Sequence, residues 1–280
     1  MRFAVGMPNL GEYADPNLLV ELARETEAAG WDGFFVWDHL VYGDRAPVVD
    51  AWSVMSAVAT ATERVRFGVL VLIMARRRPS RLAREAAAID LLSGGRLVFG
   101  AGLGSLAEEE FSAFGEDPDA RVRADKLDEG LEVVTGLWRG EPFSFDGRHY
   151  QVAPTVFTPT PAQSPRPPVW VAGRWPARRP FRRAARWDGV FPTHVDVGHT
   201  ELFPPAELAE VVAYTLAHRR DDGPFDVVVE GVTPGDPAAA ARVVAPYAGV
   251  GLTWWIEKLG WFRGPLGEMR TRIRQGPPAH

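Results

Sequence analysis

Residues 33–39 read GFFVWDH, an apolar run that ends in an acid and a histidine. A segment with helical spacing precedes the run, so we predict a buried strand over 33–37 with Asp38 and His39 at its carboxyl end. In a barrel of alternating strands and helices, active sites are built at those ends. The pair can hold or move protons near neutral pH. The residues leave a second interpretation open, in which Asp38 caps the next segment and His39 makes a turn hydrogen bond.

The alternation of strands and helices continues along the whole chain. Segments predicted as strands are 3–7, 33–37, 67–74, 96–101, 168–172, 188–193, 225–231 and 251–256. Segments predicted as helices are about 15–30, 51–61, 79–93, 176–187, 205–219 and 237–248. Eight strands alternating with helices are typical of a (β/α)8 TIM barrel, and an α/β open sheet is the competing architecture. We predict one domain over residues 1–280.

A long insertion interrupts this alternation between strands 4 and 5, over residues 103–167. Its helix carries apolar residues at 127, 131, 134 and 138, and a hairpin is predicted with strands 143–145 and 148–150 around the turn Asp146-Gly147. A proline-rich connector follows. Inserts at the carboxyl end of a barrel usually build or cover the binding site. We expect this role, a contact across a homodimer, or both.

Composition excludes several classes of function. The chain contains no cysteine, so redox chemistry here would use a bound cofactor. A net charge of −5 argues against a general nucleic-acid binder, and the six histidines form no metal-ligand pattern. No apolar stretch is long enough to span a bilayer and the N-terminus lacks a secretion signal, so we expect a cytoplasmic protein without a membrane partner.

Glycines follow two of the predicted strands. The pattern Gly100-x-Gly102-x-Gly104 ends strand 4 and lets backbone approach a ligand closely, although it lacks dinucleotide-fingerprint spacing and also suits a tight turn. The three acids at 108–110 are expected to form a solvated first helical turn. Gly173 ends strand 5 before a helix, where an anion site is plausible.

Arginines cluster in two places. Arg174 and Arg178 lie nearest the end of strand 5 and are candidates to bind a phosphate, whereas the more distal arginines up to 186 are expected on a solvated face. A second cluster at 76–81 flanks strand 3. Two basic patches near one rim favour an anionic cofactor tail over a neutral substrate.

Other aromatic and histidine side chains give weaker signals. Tryptophans near strand ends are candidates for an aromatic pocket, namely Trp37, Trp52, Trp175, Trp254 and Trp255. His194 follows strand 6 and is a candidate site residue, with a turn role as the alternative. Nothing in the local sequence marks His199.

Ordered motifs along the chain carry a family resemblance. They are EAAGWD at 27–32, WDHL at 37–40, ATATERVRFG at 59–68, LLSGGRL at 91–97, GAGLG at 100–104, WRGEP at 138–142, FDGRHY at 145–150 and PVWVAG at 168–173. By their order and spacing, the chain resembles the bacterial luciferase-like family of flavin- or deazaflavin-dependent oxidoreductases. The resemblance implies a (β/α)8 barrel that holds the cofactor at the carboxyl ends of its strands.

The resemblance also assigns roles to individual residues. In the deazaflavin branch of the family, an acid-histidine pair faces the reactive ring, and Asp38-His39 matches that pair. His39 is then the proton-transfer residue, while Asp38 orients it or hydrogen-bonds the ring. The family often carries a non-proline cis peptide that presses backbone against the ring. It falls on Leu70-Val71 here, with an ordinary trans strand as the alternative.

These observations lead to one function and two alternatives. We expect an oxidoreductase that uses coenzyme F420 to transfer a hydride to or from a small organic substrate. An FMN-dependent luciferase-like monooxygenase is the alternative, and a non-catalytic flavin-binding barrel is a weaker one. The expected cofactor-binding residues are Leu70, Val71, Gly102, Gly104, Gly173, Arg174 and Arg178, and no metal ligands are expected.

Overall fold

Apolar segments become strands and amphipathic segments become helices in the computed structural model, which describes residues 1–43 and 45–278. The strands are β1 (Arg2–Met7), β2 (Gly33–Val36), β3 (Arg66–Val69), β4 (Leu72–Ile73), β5 (Leu97–Gly102), β6 (Phe143–Asp146), β7 (Gln151–Thr155), β8 (Val169–Trp175), β9 (Gly189–His194), β10 (Asp226–Gly231) and β11 (Trp254–Lys258). The α-helices are α1 (Pro16–Ala28), α2 (Ala51–Ala61), α3 (Pro79–Ser93), α4 (Ala107–Glu110), α5 (Ala120–Leu137), α6 (Arg179–Ala184), α7 (Pro205–Ala217), α8 (Pro237–Ala248) and α9 (Leu266–Arg274).

The parallel strands close on themselves. β1 pairs with both β2 and β11, β3 pairs with β2 and β5, and β8, β9 and β10 complete the ring between β5 and β11. β3 and β4 act as one barrel strand, since both pair with β5. The result is a closed eight-stranded barrel surrounded by helices. The predicted (β/α)8 fold is therefore confirmed, and an open sheet is excluded.

The third barrel strand departs from its prediction. A single strand over 67–74 is predicted, but regular pairing stops after Val69 and resumes at Leu72. The Leu70-Val71 peptide between them is cis, as the resemblance implies. The glycines of β5 make room for this bulge, because a Cβ at Gly102 would lie 2.4 Å from Val71 Cγ2 and one at Gly100 would lie 2.3 Å from the Val69 carbonyl oxygen.

The insertion between β5 and β8 contains the predicted helix and hairpin, with one correction. The second hairpin strand begins at Gln151 instead of Arg148, so the predicted two-residue turn is wrong. The cause lies on α5, where the Glu129 carboxylate accepts hydrogen bonds from the backbone N–H groups of residues 148, 149 and 150. Because these N–H groups donate to the Glu129 carboxylate, they are not available for hydrogen bonds between the two hairpin strands.

The connector after the hairpin runs along α3. The side-chain amide of Gln163 donates to Asp90 Oδ1 at 2.7 Å, and the Arg84 guanidinium stacks on Phe157 at 3.7 Å. The later half of the insertion therefore packs on the outside of the barrel.

The barrel interior is filled by apolar side chains from all eight barrel strands. They are Ala4, Phe35, Leu70, Val98, Trp170, Phe191, Val228, Trp254 and Ile256. The Trp170 ring lies 5.5 Å from Phe35, in a tilted arrangement, and 5.3 Å from Trp254, which it meets edge-on, and both geometries favour aromatic contact. This core closes the floor of the barrel, so that a ligand can enter only above it. Every helix of residues 1–43 and 45–278 is too short or too polar to span a lipid bilayer.

Candidate active site

A cavity of about 600 Å³ opens above this core, at the carboxyl ends of the strands. Most of the predicted site residues line it, including both members of the Asp38-His39 pair. The lining residues that were predicted are Asp38, His39, Leu70, Val71, Gly104, Gly173 and Arg174. Gly102 and Arg178 lie outside the lining. The first part of the insertion contributes to the cavity wall, whereas residues 139–167 contribute nothing to it.

The carboxylate of Asp38 is fully engaged. It accepts a hydrogen bond from the backbone N–H of Ile73 at 2.9 Å and from the Arg77 guanidinium at 2.7 Å, and Arg76 lies 3.3 Å away. Arg76 also donates to the Asp38 carbonyl oxygen at 2.6 Å. Asp38 therefore ties the β2 end to the segment after the cis peptide. This geometry favours a positioning role over proton exchange.

His39 is held at one ring nitrogen and by its backbone. Its Nδ1 lies 3.1 Å from Glu110 Oε1, and Asn9 bonds both its backbone N–H and its carbonyl oxygen. The ring of Tyr42 lies edge-on, 4.9 Å from the His39 ring centroid. Nε2 is consequently the ring nitrogen left for a ligand in the cavity.

Glu110 lines the cavity and pairs with His39, although the sequence does not reveal it. A solvated turn is predicted at 108–110, yet Glu110 is only 1% exposed, so the prediction is wrong for this residue. Besides His39, its carboxylate contacts the Leu40 N–H at 2.7 Å and the Arg76 guanidinium at 2.9 Å. No local signal separates Glu110 from its two acidic neighbours, because its burial comes from a four-residue helix folding over the strand end.

The surroundings of Glu110 keep it ionised. Burial raises the pKa of this carboxyl, but hydrogen bonds from His39 and from the Leu40 N–H, together with the Arg76 charge, outweigh burial and hold the pKa below its usual value. This fixed negative charge beside Nδ1 holds the imidazole in place and leaves Nε2 for a ligand. The pair is therefore suited to general acid–base chemistry.

A buried cation lies under the glycine loop. Arg123 of α5 is 7% exposed and donates to the carbonyl oxygens of Leu103 and Gly104 at 3.1 and 3.0 Å. Its Nε has no hydrogen-bond partner, and no acid of the described residues forms an ion pair with it. Gly173 also lines the cavity, and a Cβ there would lie 2.9 Å from both Pro180 and Phe181, so only glycine fits against them. A buried guanidinium without a carboxylate partner in the cavity lining favours an anionic ligand.

The arginines after β8 divide into two groups. Arg174 is exposed at the cavity rim, and Arg178 stacks on Trp175 at 4.0 Å and on Tyr214 at 4.8 Å. Arg183 is buried against Asp128 of α5 at 2.7 Å, which corrects the prediction of a solvated distal face. Helix α5 of the insertion covers that face. Farther along, the exposed Arg186 pairs with Glu132 at 2.5 Å.

An aromatic cluster lies at the cavity, where two of its rings, Trp37 and His199, belong to the lining. Trp37, His199 and Phe262 stack with near-parallel planes, and Trp261 meets all three edge-on. Trp37 lines the cavity, as predicted. His199 was unmarked because it lies in a long loop after β9, and only folding brings it to the cavity.

The other predicted aromatic residues have different surroundings. Trp52 packs on Phe99 in the core, and Trp254 fills the barrel interior. Trp175 donates to Glu207, which also bonds Nε2 of His194 at 3.0 Å. His194 lines the cavity and is a second acid-paired histidine of the site. The described residues contain no cluster of His, Asp or Glu able to hold a metal ion.

Comparisons with known proteins agree with this architecture. An F420-dependent glucose-6-phosphate dehydrogenase of Tsukamurella paurometabola is 32% identical over 215 residues, which are 74% of this chain and 62% of that protein. A solved F420-dependent secondary alcohol dehydrogenase in complex with an F420-acetone adduct superimposes with a TM-score of 0.78 at 16% identity, covering 98% of this chain and 97% of the other. Monooxygenase RslO1 from Streptomyces bottropensis superimposes with a TM-score of 0.75 at 20% identity, with the same coverage.

The two solved structures share the fold and differ from each other in the chemistry that their names state. The family model described as luciferase-like monooxygenase matches residues 2–271, nearly the whole chain. The protein belongs to the luciferase-like monooxygenase family.

Proposed function

We propose that the protein is an oxidoreductase that uses coenzyme F420 to transfer a hydride between the deazaflavin ring and a small organic substrate. The observation that carries this proposal is the His39–Glu110 pair, in which a buried carboxylate holds an imidazole that lines the cavity beside Leu70 and Val71. The similarity to F420-dependent proteins, in sequence and in fold, supports the same choice.

The residues of the cavity fit the parts of this cofactor. Leu70, Val71 and Phe191 offer an apolar surface for the tricyclic ring. The positive charge of Arg123, which lines the cavity and has no carboxylate partner among the described residues, suits the phosphate. Three exposed arginines at 174, 178 and 179 form no ion pair with an acid of the described residues, and they can meet the carboxylates of the oligoglutamate tail.

Bound F420 supplies a ring carbon, C5, that accepts or donates a hydride. For an alcohol substrate, the C–H bond breaks and its electron pair leaves with the hydrogen, while the O–H proton passes to Nε2 of His39 and a C=O bond forms. Glu110 stabilises the imidazolium that results. Arg76 and Arg77 fix the loop through Asp38, so that the imidazole stays in place.

An FMN-dependent monooxygenase is the second candidate, supported by the shared fold with monooxygenase RslO1. FMN carries one phosphate and no carboxylate tail, so the free arginines at the rim favour F420. A non-catalytic barrel is disfavoured, because burying the charges of Asp38, Glu110 and Arg76 together costs stability that a protein without a catalytic site has no reason to lose.

The test is an anaerobic reaction with purified protein, F420 and a panel of small alcohols and aldehydes. We expect loss of the oxidised deazaflavin absorbance with at least one substrate class, and little loss with His39→Ala. A parallel reaction contains FMN, a flavin reductant and oxygen. Turnover in that reaction alone would replace the proposal with the monooxygenase function. Homodimer formation and a cytoplasmic location stay predictions.

A further inference from the structure

Five rings form a continuous surface that begins beside His39, and we name it the aromatic wall. Its members are Trp37, Tyr42, His199, Trp261 and Phe262. Tyr42 lies 4.9 Å from the His39 ring and 5.7 Å from Trp261. The rings of Trp37 and Phe262 are 6.3 Å apart and inclined by only 6°. Trp37 and His199 of this wall line the cavity beside His39. Trp261 and Phe262 pack against these two rings, and Tyr42 packs against Trp261.

The charges at this end of the cavity are neutralised within the protein. The ammonium of Lys258 lies 3.1 Å from Glu230, and both side chains are largely buried. The same ammonium lies 5.9 Å above the rings of Trp37 and Phe262, which adds a cation–π contact. Arg76 and Arg77 are held by Asp38 and Glu110. Among the described residues, the wall thus offers no free cation to an anionic substrate.

His199 adds a polar edge without adding charge. Desolvation and the nearby Lys258 lower the pKa of His199. Above its ordinary value of 6.5 the ring is therefore neutral. It can stack and donate or accept one hydrogen bond, but it cannot neutralise a phosphate.

We propose that the substrate is an uncharged compound that carries a flat, preferably aromatic, ring next to its carbinol or carbonyl carbon. The proposal rests on the proposed function and names its substrate class. The ring stacks on the aromatic wall, which places the reactive carbon beside His39. A phosphorylated sugar is excluded as the preferred substrate, because a dianion at this end meets no uncompensated cation. In this respect the protein differs from the relative named a glucose-6-phosphate dehydrogenase.

A matched pair of alcohols tests the preference for a flat ring. The F420-loaded protein is given 1-phenylethanol and 1-cyclohexylethanol, which differ little in size and have the same reactive group. Stacking on aromatic side chains contributes enough to predict a KM about three- to tenfold lower for the phenyl compound. Glucose 6-phosphate is the third substrate. Turnover of glucose 6-phosphate with a higher kcat/KM than the phenyl alcohol would overturn the proposal.

Variants of the wall provide a readout that does not depend on turnover. Binding of acetophenone, measured by calorimetry, should weaken about three- to tenfold in Trp37→Ala and recover in Trp37→Phe, because Trp37 lines the cavity. Trp187→Phe is the control, since Trp187 packs near Arg166 outside the cavity. Equal acetophenone affinity in the wild type and in Trp37→Ala would contradict the assignment of the wall.

The ion pair gives a test in the opposite direction. Glu230→Gln leaves Lys258 without its carboxylate, so binding of glucose 6-phosphate should tighten several-fold while acetophenone affinity stays unchanged. Unchanged binding of glucose 6-phosphate would show that the Lys258–Glu230 pair does not select against anions.

If the protein does not bind F420, the proposed function fails. The ring preference is then still tested, because the acetophenone titration is repeated without the cofactor.

Discussion

The arginines at 76–77 and those at 174–179 lie at the carboxyl ends of two barrel strands but have different surroundings. Arg76 is 7% exposed and contacts both Asp38 and Glu110, so its charge is compensated inside the protein. Arg174 and Arg178 lie at the surface and contact no acid of the described residues. The first group builds the floor of the acid–base site. The second group leaves positive charge available to a ligand.

The difference shows that position after a strand end does not determine what an arginine does. Both clusters were expected to present free charge to an anionic cofactor tail, and this expectation fails for Arg76 and Arg77. Both arginines contact Asp38, which follows the neighbouring strand β2, and Arg76 also contacts Glu110 of the insertion. A buried guanidinium that is paired with two carboxylates holds those carboxylates in position. An exposed guanidinium without a carboxylate partner is available to bind a ligand.

The largest expected effect follows from removing the imidazole that the buried cluster positions. His39→Ala should lower kcat by about 10²–10⁴-fold, because proton transfer at the substrate loses its general acid or base. F420 affinity, measured by fluorescence titration, should change much less. Turnover near the wild-type value would remove His39 from the mechanism.

The next effect concerns stability. Arg76→Ala leaves the buried carboxylates of Asp38 and Glu110 partly uncompensated, and we expect a loss of about 3–5 kcal/mol in the free energy of unfolding. Arg81→Ala is the matched control from the same cluster. Its side chain is 77% exposed and pairs only with Glu85 one helical turn away, so the loss should be about 0.5 kcal/mol or less. Urea unfolding of both variants measures these losses. Equal losses of unfolding free energy in Arg76→Ala and Arg81→Ala would contradict the prediction.

A smaller effect is expected at the rim. Arg174→Ala and Arg178→Ala should each weaken F420 binding about two- to fivefold, since exposed charge pairs contribute little individually. Added salt should weaken wild-type binding as well. Arg186→Ala is the control, because Arg186 is already paired with Glu132. If Arg174→Ala and Arg178→Ala both bind F420 as tightly as the wild type, these arginines are ordinary surface residues without a role in cofactor binding.

The smallest effect is confined to acid pH. The pKa of Glu110 is lower in the folded protein than its ordinary value of 4.5, because hydrogen bonds and the Arg76 charge outweigh burial. Its contribution to stability is therefore present above that value and is lost as the pH falls through the folded pKa. The difference in unfolding free energy between the wild type and Glu110→Gln should narrow on acidification. A difference that stays constant with pH would contradict this linkage.

The barrel and the part of the site at the strand ends could be predicted from the sequence, whereas the residues that distant segments bring to the cavity could not. Apolar strands, helix caps such as Asp50 and the acid-histidine pair are local patterns, and the structure follows them. Glu110, Arg123 and His199 were missed because long-range folding gives each its surroundings. An acid in a row of three acids has no periodicity that marks it as buried. Likewise, the register of the hairpin depended on Glu129, a residue about twenty positions away along the chain.

We expect free charge at the rim to select a cofactor with a carboxylate tail. The most direct measurement is a side-by-side titration of the purified protein with F420 and with FMN at low and high salt. We predict tighter binding of F420, and a larger loss of affinity with salt for F420 than for FMN. Tight FMN binding without measurable F420 binding would contradict the account and establish the flavin-dependent alternative.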